Sequence, residues 1–246
     1  MSDSIVIIPT YNEKENIEAI IRAVFDLEKD FDILVVDDDS PDGTADIVRE
    51  LQGVFPGRLH LLSRKGKQGL GTAYIAGFNW GLDRDYGYFF EMDADFSHNP
   101  EDLVRLYNAC NKGLADVAIG SRYIKGGGVK NWPWDRLWLS YGASLYVRLI
   151  TGMNVKDPTA GFKCYRRKVL ENIDFSKIKF IGYAFQIEMK FAAHTLGFRI
   201  AEVPITFVDR ELGTSKMSSN IITEAVLGVL KMKWNSFTNS YQAESP

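Results

Sequence analysis

The sequence predicts an α/β fold, a Rossmann-like, mostly parallel sheet with helices on both faces. Three observations carry that expectation. Short, continuous apolar runs alternate with stretches of helical spacing through the first half of the chain, as βα units do. The runs are unbroken, which is how strands covered on both faces read. Each run ends in an acidic or basic cluster, and in a parallel sheet those ends share one edge.

Ser4 to Ile8 is the first buried strand and stops at Pro9-Thr10-Tyr11-Asn12-Glu13. Lys14 to Leu27 then has helical spacing through Ile17, Ile20, Ile21, Val24 and Leu27. Phe31 to Val36 is the second strand, closed by Asp37-Asp38-Asp39-Ser40-Pro41-Asp42-Gly43-Thr44, and a helix from Thr44 to Leu51 carries Ile47, Val48 and Leu51 on one face. Leu59 to Leu62 leads into the basic loop Arg64-Lys65-Gly66-Lys67-Gln68-Gly69-Leu70-Gly71 and a helix to about Leu82. Tyr86 to Met92 is a fourth strand. Asn99 then reads as the N-cap, and Pro100 as the first residue, of a helix ending near Cys110. Asp116 to Gly120 is the fifth strand.

After Ser121 the pattern changes. Arg122 to Asn131 is a Gly-rich basic loop, and Trp132 to Ile150 is an aromatic, amphipathic helix interleaved with Arg136 and Arg148. Asp157 to Phe162 reads as a turn, Lys168 to Ile173 as a short helix and Tyr183 to Leu196 as a longer one. Ile200 to Val208 is an edge strand interrupted by Pro204. Asp209 to Asn220 is polar and flexible by composition, and Arg210 to Asn220 within it is a candidate lid. Ile221 to Phe237 is a last amphipathic helix, followed by a frayed tail. The expected organisation is one domain over 1–219, with a first half at 1–121 and a second at 122–219, and a C-terminal helix and tail over 220–246.

At 246 residues, with a formal net charge of −3, the chain has ample length for a large core and is too acidic for a dedicated nucleic-acid binder. Its two cysteines, Cys110 and Cys164, lack zinc-site spacing and fit buried residues in a reducing compartment. No basic leader precedes the first strand, and no apolar stretch reaches the roughly 18–20 residues that span a bilayer, so a soluble or peripheral protein is expected.

The chemistry centres on Phe89-Phe90-Glu91-Met92-Asp93-Ala94-Asp95-Phe96-Ser97-His98-Asn99-Pro100. Two carboxylates one residue apart, where a strand opens into a loop, suit Mg²⁺ or Mn²⁺ shared with a substrate's phosphates. A surface turn is the plainer reading of an isolated Asp-x-Asp. The company it keeps decides. Tyr11 and Glu13, Asp37 to Asp39, Arg64 to Lys67, Asp93 and Asp95, and Ser121 and Arg122 all fall at strand ends and converge on one crevice. Acids for ribose, base edges and metal beside bases for phosphates indicate a nucleotide. Neither a dinucleotide fingerprint nor a P-loop is present.

Ile8-Pro9-Thr10-Tyr11-Asn12-Glu13, Val36-Asp37-Asp38-Asp39-Ser40-Pro41-Asp42-Gly43-Thr44, Met92-Asp93-Ala94-Asp95 and Gly120-Ser121-Arg122-Tyr123 resemble family 2 glycosyltransferases of the GT-A fold. Arg64 to Tyr74, Asp95 to Pro100 and Val203 to Lys216 narrow the resemblance to catalytic subunits of dolichyl-phosphate (polyprenyl-phosphate) mannosyltransferases, over about Ile5 to Lys233. Two departures stand out: Ser97 occupies a position where some relatives carry Gln, and others continue into transmembrane helices where this chain stops.

The resemblance implies transfer of mannose from GDP-mannose to a polyprenyl (dolichyl) phosphate with inversion, by a GT-A catalytic domain whose 1–121 half binds the nucleotide sugar and whose 122–219 half binds the acceptor. It implies that Pro9, Tyr11, Glu13, Asp38 and Lys67 meet the nucleotide sugar and that Asp93 and Asp95 hold Mg²⁺ or Mn²⁺. Acceptor phosphate falls to Arg122, Arg136 and Ser140, and Asp95, Arg122, Arg210 and Lys216 are the catalytic candidates, Arg210 and Lys216 also contacting the donor. Asp157 and Glu188 are expected in structural or acceptor-loop roles. Arg136 has a second reading as a snorkelling side chain. The aromatic helix and the C-terminal helix could pack in the core. Trp beside Lys and Arg is also the composition of an interfacial helix, and at least one of the two is expected at a membrane surface. The expected location is therefore peripheral, on the cytoplasmic face of a membrane, with room for a separate small membrane-anchoring subunit. The alternatives are a UDP-glucose-dependent glucosyltransferase and a non-catalytic sugar-nucleotide-binding subunit.

Overall fold

The computed structural model describes residues 2–209 and 220–243, the side chains of 220–226 excepted. The first half is a succession of βα units: β1 (Ser4–Thr10), α1 (Ile17–Phe25), β2 (Asp32–Asp37), α2 (Thr44–Val54), β3 (Leu59–Ser63), α3 (Leu70–Leu82), β4 (Tyr88–Glu91), α4 (Asp102–Asn111) and β5 (Val117–Ser121). The second half adds β6 (Gly128–Lys130), α5 (Trp134–Thr151), β7 (Lys163–Arg166), α6 (Arg167–Asn172), α7 (Phe185–Thr195), β8 (Ile200–Pro204), β9 (Thr206–Val208) and α8 (Asn220–Asn235).

A seven-stranded sheet runs in the order β3-β2-β1-β4-β7-β5-β8. Every pairing is parallel except those of β7, which is antiparallel to β4 and β5. Successive side chains of a strand point to opposite faces, and both faces are apolar. Ile5 and Ile7 of β1 join Leu34, Val36 and Phe89 in a core under α3 and α7. Val6 and Ile8 join Ile33, Val35 and Phe90 in a second core under α1, α2 and α4. Burying each such side chain contributes about 1.5–3 kcal/mol, and this term holds the layers together. Close approach matters as well. A Cβ at Gly77 would fall 2.6 Å from Ile7 Cγ2 and one at Gly81 2.5 Å from Phe89 Cε1, so α3 lies directly on the sheet at these two glycines.

The differences from the expected elements have local causes. β1 continues through Pro9 because Met92 N donates to Ile7 O at 3.2 Å, placing the odd residues of β1 toward β4. That ladder ends at Ile7↔Glu91, so the N–H that Pro9 lacks has no strand to meet. Helix α4 begins at Asp102, not Pro100. Asn99 Oδ1 accepts from Glu101 N at 3.2 Å and caps a turn that precedes the helix. Lys163-Cys164-Tyr165-Arg166 is a central strand without an apolar run, its polarity absorbed by buried partners described below. The Gly-rich loop contains β6, and Pro204 ends β8 so that the chain crosses to pair β9 with β6 in a separate two-stranded sheet.

The tail, expected to fray, is docked over its described residues. Asp174 N donates to Tyr241 O at 2.8 Å, Ala243 N to Asn172 O at 3.0 Å, and the Tyr241 ring packs edge-on against Phe191. The main sheet takes strands from both sides of Ser121, so it is continuous across the two halves of the chain.

Candidate functional site

The loops after β1 and β2 are laced together at the carboxyl edge of the sheet. Asn12 and Asp39 adopt left-handed conformations (φ 58° and 59°), which their short polar side chains tolerate. Asn12 N donates to Ser40 Oγ, Glu13 N to Thr44 Oγ1 and Lys14 N to Asp42 Oδ2, each at 3.0 Å. Asp37 is the clamp, accepting from Thr10 Oγ1 at 2.8 Å and from Ser40 Oγ at 2.6 Å. Asp38, buried, turns to the basic loop: Oδ1 accepts from Arg64 Nε at 2.6 Å and Oδ2 from Gln68 N at 3.1 Å. Lys67 is exposed at the tip of that loop, its ammonium 4.9 Å from the centre of the Tyr11 ring.

Asp93 and Asp95 follow β4 on the same edge, Asp93 half-buried and Asp95 buried. Asp95 Oδ1 accepts from Ser97 N at 3.0 Å, and the turn passes through Phe96 at φ 57°. A left-handed phenylalanine is a strained backbone, of a kind that clusters at functional sites. Behind the turn lies a buried polar layer. Tyr74 O–H donates to Asp93 Oδ1 at 3.4 Å, and burial, together with the charges of Asp93 and Glu91, pushes its phenol well up. Glu91 and Lys163 face each other at 3.0 Å with neither side chain exposed. Lys163 also donates to Gln186 Oε1. Lys190, fully buried, donates to Ala160 O at 2.5 Å and Gln186 O at 2.8 Å, and burial pushes its ammonium well down. His98 stacks on Phe162 at 4.8 Å, and burial lowers it to about 4, so it is neutral at physiological pH.

The second half completes the edge. Arg122 is buried and bidentate on Asp157: Nε to Oδ2 and Nη2 to Oδ1, both at 2.7 Å, with Nη2 also donating to Thr159 Oγ1 at 2.8 Å. Although burial opposes ionisation, the guanidinium holds Asp157 below the usual carboxylate range. Glu202 Oε1 supports the pair from below, accepting from Ser121 Oγ at 2.7 Å and Asp157 N at 3.0 Å. The Nη1 edge of Arg122 has no hydrogen-bond partner among the described residues. Trp132, in the loop before α5, lies between two guanidiniums, Arg122 at 5.5 Å and Arg136 at 4.2 Å from its ring centre. Arg136 Nη1 donates to Asp209 Oδ2 at 2.6 Å, and Ser140 Oγ accepts from Tyr123 O–H at 2.7 Å.

Pro9, Tyr11, Glu13, Asp38, Lys67, Asp93, Asp95 and Arg122 thus all lie at the carboxyl edge of the parallel strands, with Arg136 reached through Trp132. Arg210, Lys216 and all of the expected lid up to residue 219 lie outside the described residues. Sequence reasoning missed the engagement of Asp38 with Arg64, the Tyr74–Asp93 contact, the Glu91–Lys163–Lys190 layer and Thr159. It also left Arg122 and Asp157, 35 positions apart, in separate roles. Only the position of Asp157 in a turn and the polarity of Lys163 within a buried segment signalled anything.

Among the described residues no group of three or more His, Cys, Asp or Glu could enclose a metal by itself. The donor set is instead two carboxylates at a strand end, which is what Mg²⁺ or Mn²⁺ needs when a diphosphate supplies the other ligands. The residues fit such an ion.

A parallel sheet whose carboxyl edge carries an Asp-x-Asp turn, a basic loop and a second cationic cluster is the architecture of a sugar-nucleotide-dependent transferase. The chain matches the model of glycosyl transferase family 2 over residues 5–174, and it belongs to that family. It is 53% identical over 226 residues to the polyprenol monophosphomannose synthase of Mycolicibacterium smegmatis, covering 92% of this chain and 85% of that one. It is 49% identical over 227 residues to the undecaprenyl-phosphate mannosyltransferase of Micrococcus luteus, covering 92% of each. Among solved structures, glucosyl-3-phosphoglycerate synthase from Mycobacterium tuberculosis, in complex with Mn²⁺, UDP and glucosyl-3-phosphoglycerate, superposes with a TM-score of 0.65. That likeness covers 94% of this chain and 79% of the other at 18% identity, and speaks to the fold alone, GT-A.

Proposed function

We propose that this glycosyltransferase moves mannose from GDP-mannose to a polyprenyl phosphate, giving polyprenyl-phosphate mannose with inversion at the anomeric carbon. The observation that carries the reading is the pairing of the Asp93/Asp95 turn with a separate Arg122–Trp132–Arg136 cluster on one edge, one site for a diphosphate and one for a second anion. Similarity to two mannosyltransferases that act on polyprenyl lipids over nine-tenths of the chain points the same way.

Pro9, Tyr11 and Glu13 border the nucleoside, and Asp38 acts there by holding the basic loop that carries Lys67. Asp93 and Asp95 would hold a divalent ion, which neutralises charge on the departing diphosphate. The acceptor phosphate is largely ionised near neutral pH, its second pKa being about 6. Its oxygen attacks C1 of mannose directly, the bond from C1 to GDP breaks, and GDP leaves with the electron pair. No general base is required. What the protein supplies is cations that hold two anions within reach: Arg122 through its Nη1 edge, Arg136, and Arg210 and Lys216. Arg136 and Ser140 lie on α5, so the acceptor's headgroup meets the helix whose other face is apolar.

That face is open. Trp134, Trp138, Leu145 and Leu149 of α5 are exposed, as are Leu227, Leu230 and Trp234 of α8, which packs beside it. None of the helices is long and apolar enough to cross a membrane among the described residues. The occupant is the bilayer that contains the acceptor, met peripherally from the cytoplasmic side. Trp138 is 69% exposed, so Trp138→Ser is expected to leave the melting temperature within about 2 °C, as surface substitutions do, while weakening co-sedimentation with anionic vesicles. A variant that sediments like wild type removes α5 from the membrane contact.

The overall reading is tested by incubating the protein with a panel of sugar nucleotides, polyprenyl phosphate and Mn²⁺ and following lipid-linked sugar. Label transferred from GDP-mannose is expected. Transfer from UDP-glucose instead would make it a glucosyltransferase, and no transfer from any donor would make it a binding subunit.

A further inference from the structure

Glu188, on α7, is buried, and two of the three bonds it accepts lead toward the donor site. Oε2 accepts from two successive backbone amides, Lys179 N at 2.8 Å and Phe180 N at 2.9 Å. Oε1 accepts from Tyr241 O–H in the C-terminal tail at 3.0 Å. The segment so fixed, residues 178–182, presses on the start of α3. Ile181 O accepts from Gly71 N at 2.8 Å. A Cβ at Gly69 would fall 3.0 Å from Ile181 O, and one at Gly71 2.9 Å from Phe180 O and 2.7 Å from the Phe185 ring. Gly69 has φ 101°, a backbone that an L side chain rarely adopts. Gly69 and Gly71 end the basic loop of Arg64 and Lys67. Arg64 Nη2 donates to Gly69 O at 3.4 Å while its Nε is held by Asp38. On the other side the Phe180 ring fills the space at Gly228 of α8, where a Cβ would come within 2.6 Å.

The basic loop therefore has two anchors. Asp38 holds its beginning, and the 178–182 segment holds its end. The segment is neither helix nor strand, and two of its backbone donors end on one carboxylate. All three donors that this carboxylate accepts from belong to the chain itself, two backbone amides and a tyrosine hydroxyl, which are the bonds of an anchor.

We propose that Glu188 is a positioning residue for the donor: through residues 179–181 it seats Gly69 and Gly71, and so sets where the Arg64–Lys67 loop meets the nucleotide diphosphate. The role rests on the reading of that loop as part of the donor site. Shortening or removing the side chain frees Lys179 N and Phe180 N, the segment relaxes, and the loop loses its second anchor. Glutamine preserves the arrangement, because its Oε1 can accept from both amides while its NH₂ donates to the Tyr241 hydroxyl oxygen.

The test measures GDP affinity by calorimetry in the presence of Mn²⁺, together with kcat and separate KM values for GDP-mannose and polyprenyl phosphate. It uses the full chain as wild type, Glu188→Gln, Glu188→Asp, Glu188→Ala and, in parallel, Lys67→Ala. Glu188→Ala and Glu188→Asp are expected to weaken GDP binding and raise the donor KM by about tenfold, below the 10²-fold that a ~1 Å misplacement can cost. The acceptor KM should stay put and Glu188→Gln should restore donor affinity. Glu188→Asp keeps the buried charge and carries the test if the alanine variant does not fold. Folded Asp and Ala variants with wild-type GDP affinity overturn the proposal, as does a glutamine variant as impaired as alanine, which would indicate a proton-transfer role. If Lys67→Ala leaves GDP affinity unchanged, the donor-loop reading falls and the proposal with it. A weakened Lys67→Ala beside a normal Glu188→Ala removes Glu188 alone.

Discussion

Replacing Asp95 by Asn is expected to lower kcat by about 10²-fold or more, the scale for losing a major electrostatic stabiliser, in a chain that still folds. Asp95 Oδ1 accepts a bond from Ser97 N at 3.0 Å, and an asparagine Oδ1 can accept the same bond, so the turn through Phe96 keeps its support. What disappears is one negative charge beside Asp93, from the pair proposed to hold the ion. The measurement is kcat against Mn²⁺ concentration, with binding of Mn²⁺ followed by its own spectroscopic signal and the melting temperature as control. A normal rate in the variant, or full turnover of wild type in excess chelator, would end the metal assignment.

Much of this site was legible in the sequence, because parallel α/β folds place strand ends on one edge. Apolar runs at Ser4, Phe31, Leu59, Tyr86 and Asp116 located five of the strands, and the polar residues after each were therefore neighbours before any coordinates existed. Helical spacing located the core face of α1, where Ile17, Ile20, Ile21 and Val24 are all buried. What failed was anything decided by long-range pairing. β7 has Lys163 and Arg166 in four residues, and reads as a strand only once Glu91, Gln186 and two neighbouring strands are in place. β6 and β9 are short and exist because they pair with each other. The aromatic stripe of α5 could not be assigned to core or surface by composition. The fold decides it by burying little more than Ser144, Val147 and Thr151 and exposing Trp134 and Trp138.

The same limit applies inside the site. Asp38 and Arg122 were both recognisable as functional candidates, but their partners lie 26 and 35 residues away and no periodicity links them. A charged side chain at a strand end reads from sequence as a ligand contact. Burial adds a second possibility, that it holds another charged group in place for the ligand. Asp38 now reads as an anchor of the Arg64 loop, and Asp157 as the fixed counter-ion of Arg122.

Asp157→Ala is expected to cost about 3–5 kcal/mol of stability, because it leaves Arg122 charged and buried without its partner. The side chains are 0% and 5% exposed for Asp157 and Arg122, so water cannot replace the lost bonds. With about 2–4 °C of melting temperature per kcal/mol in a chain of this size, the drop is about 10 °C. The effect has a pH signature. Asp157 lies below its ordinary value of 3.8 in the folded state, so its contribution is complete above about pH 4. It is lost only as pH falls through the lowered folded value, and the variant should lack that part of the acid limb. The double variant Arg122→Met/Asp157→Leu separates structure from function. Removing both charges leaves no orphan, and well-packed apolar replacements of a buried pair are often neutral or better, so much of the melting temperature should return. Activity should not. If the Nη1 edge of Arg122 meets the acceptor phosphate, the refolded double variant keeps GDP affinity while its KM for polyprenyl phosphate stays raised or its kcat low. A double variant that is both stable and normally active would reduce the pair to a structural strut, leaving the acceptor phosphate to Arg136 and to the cations at 210 and 216.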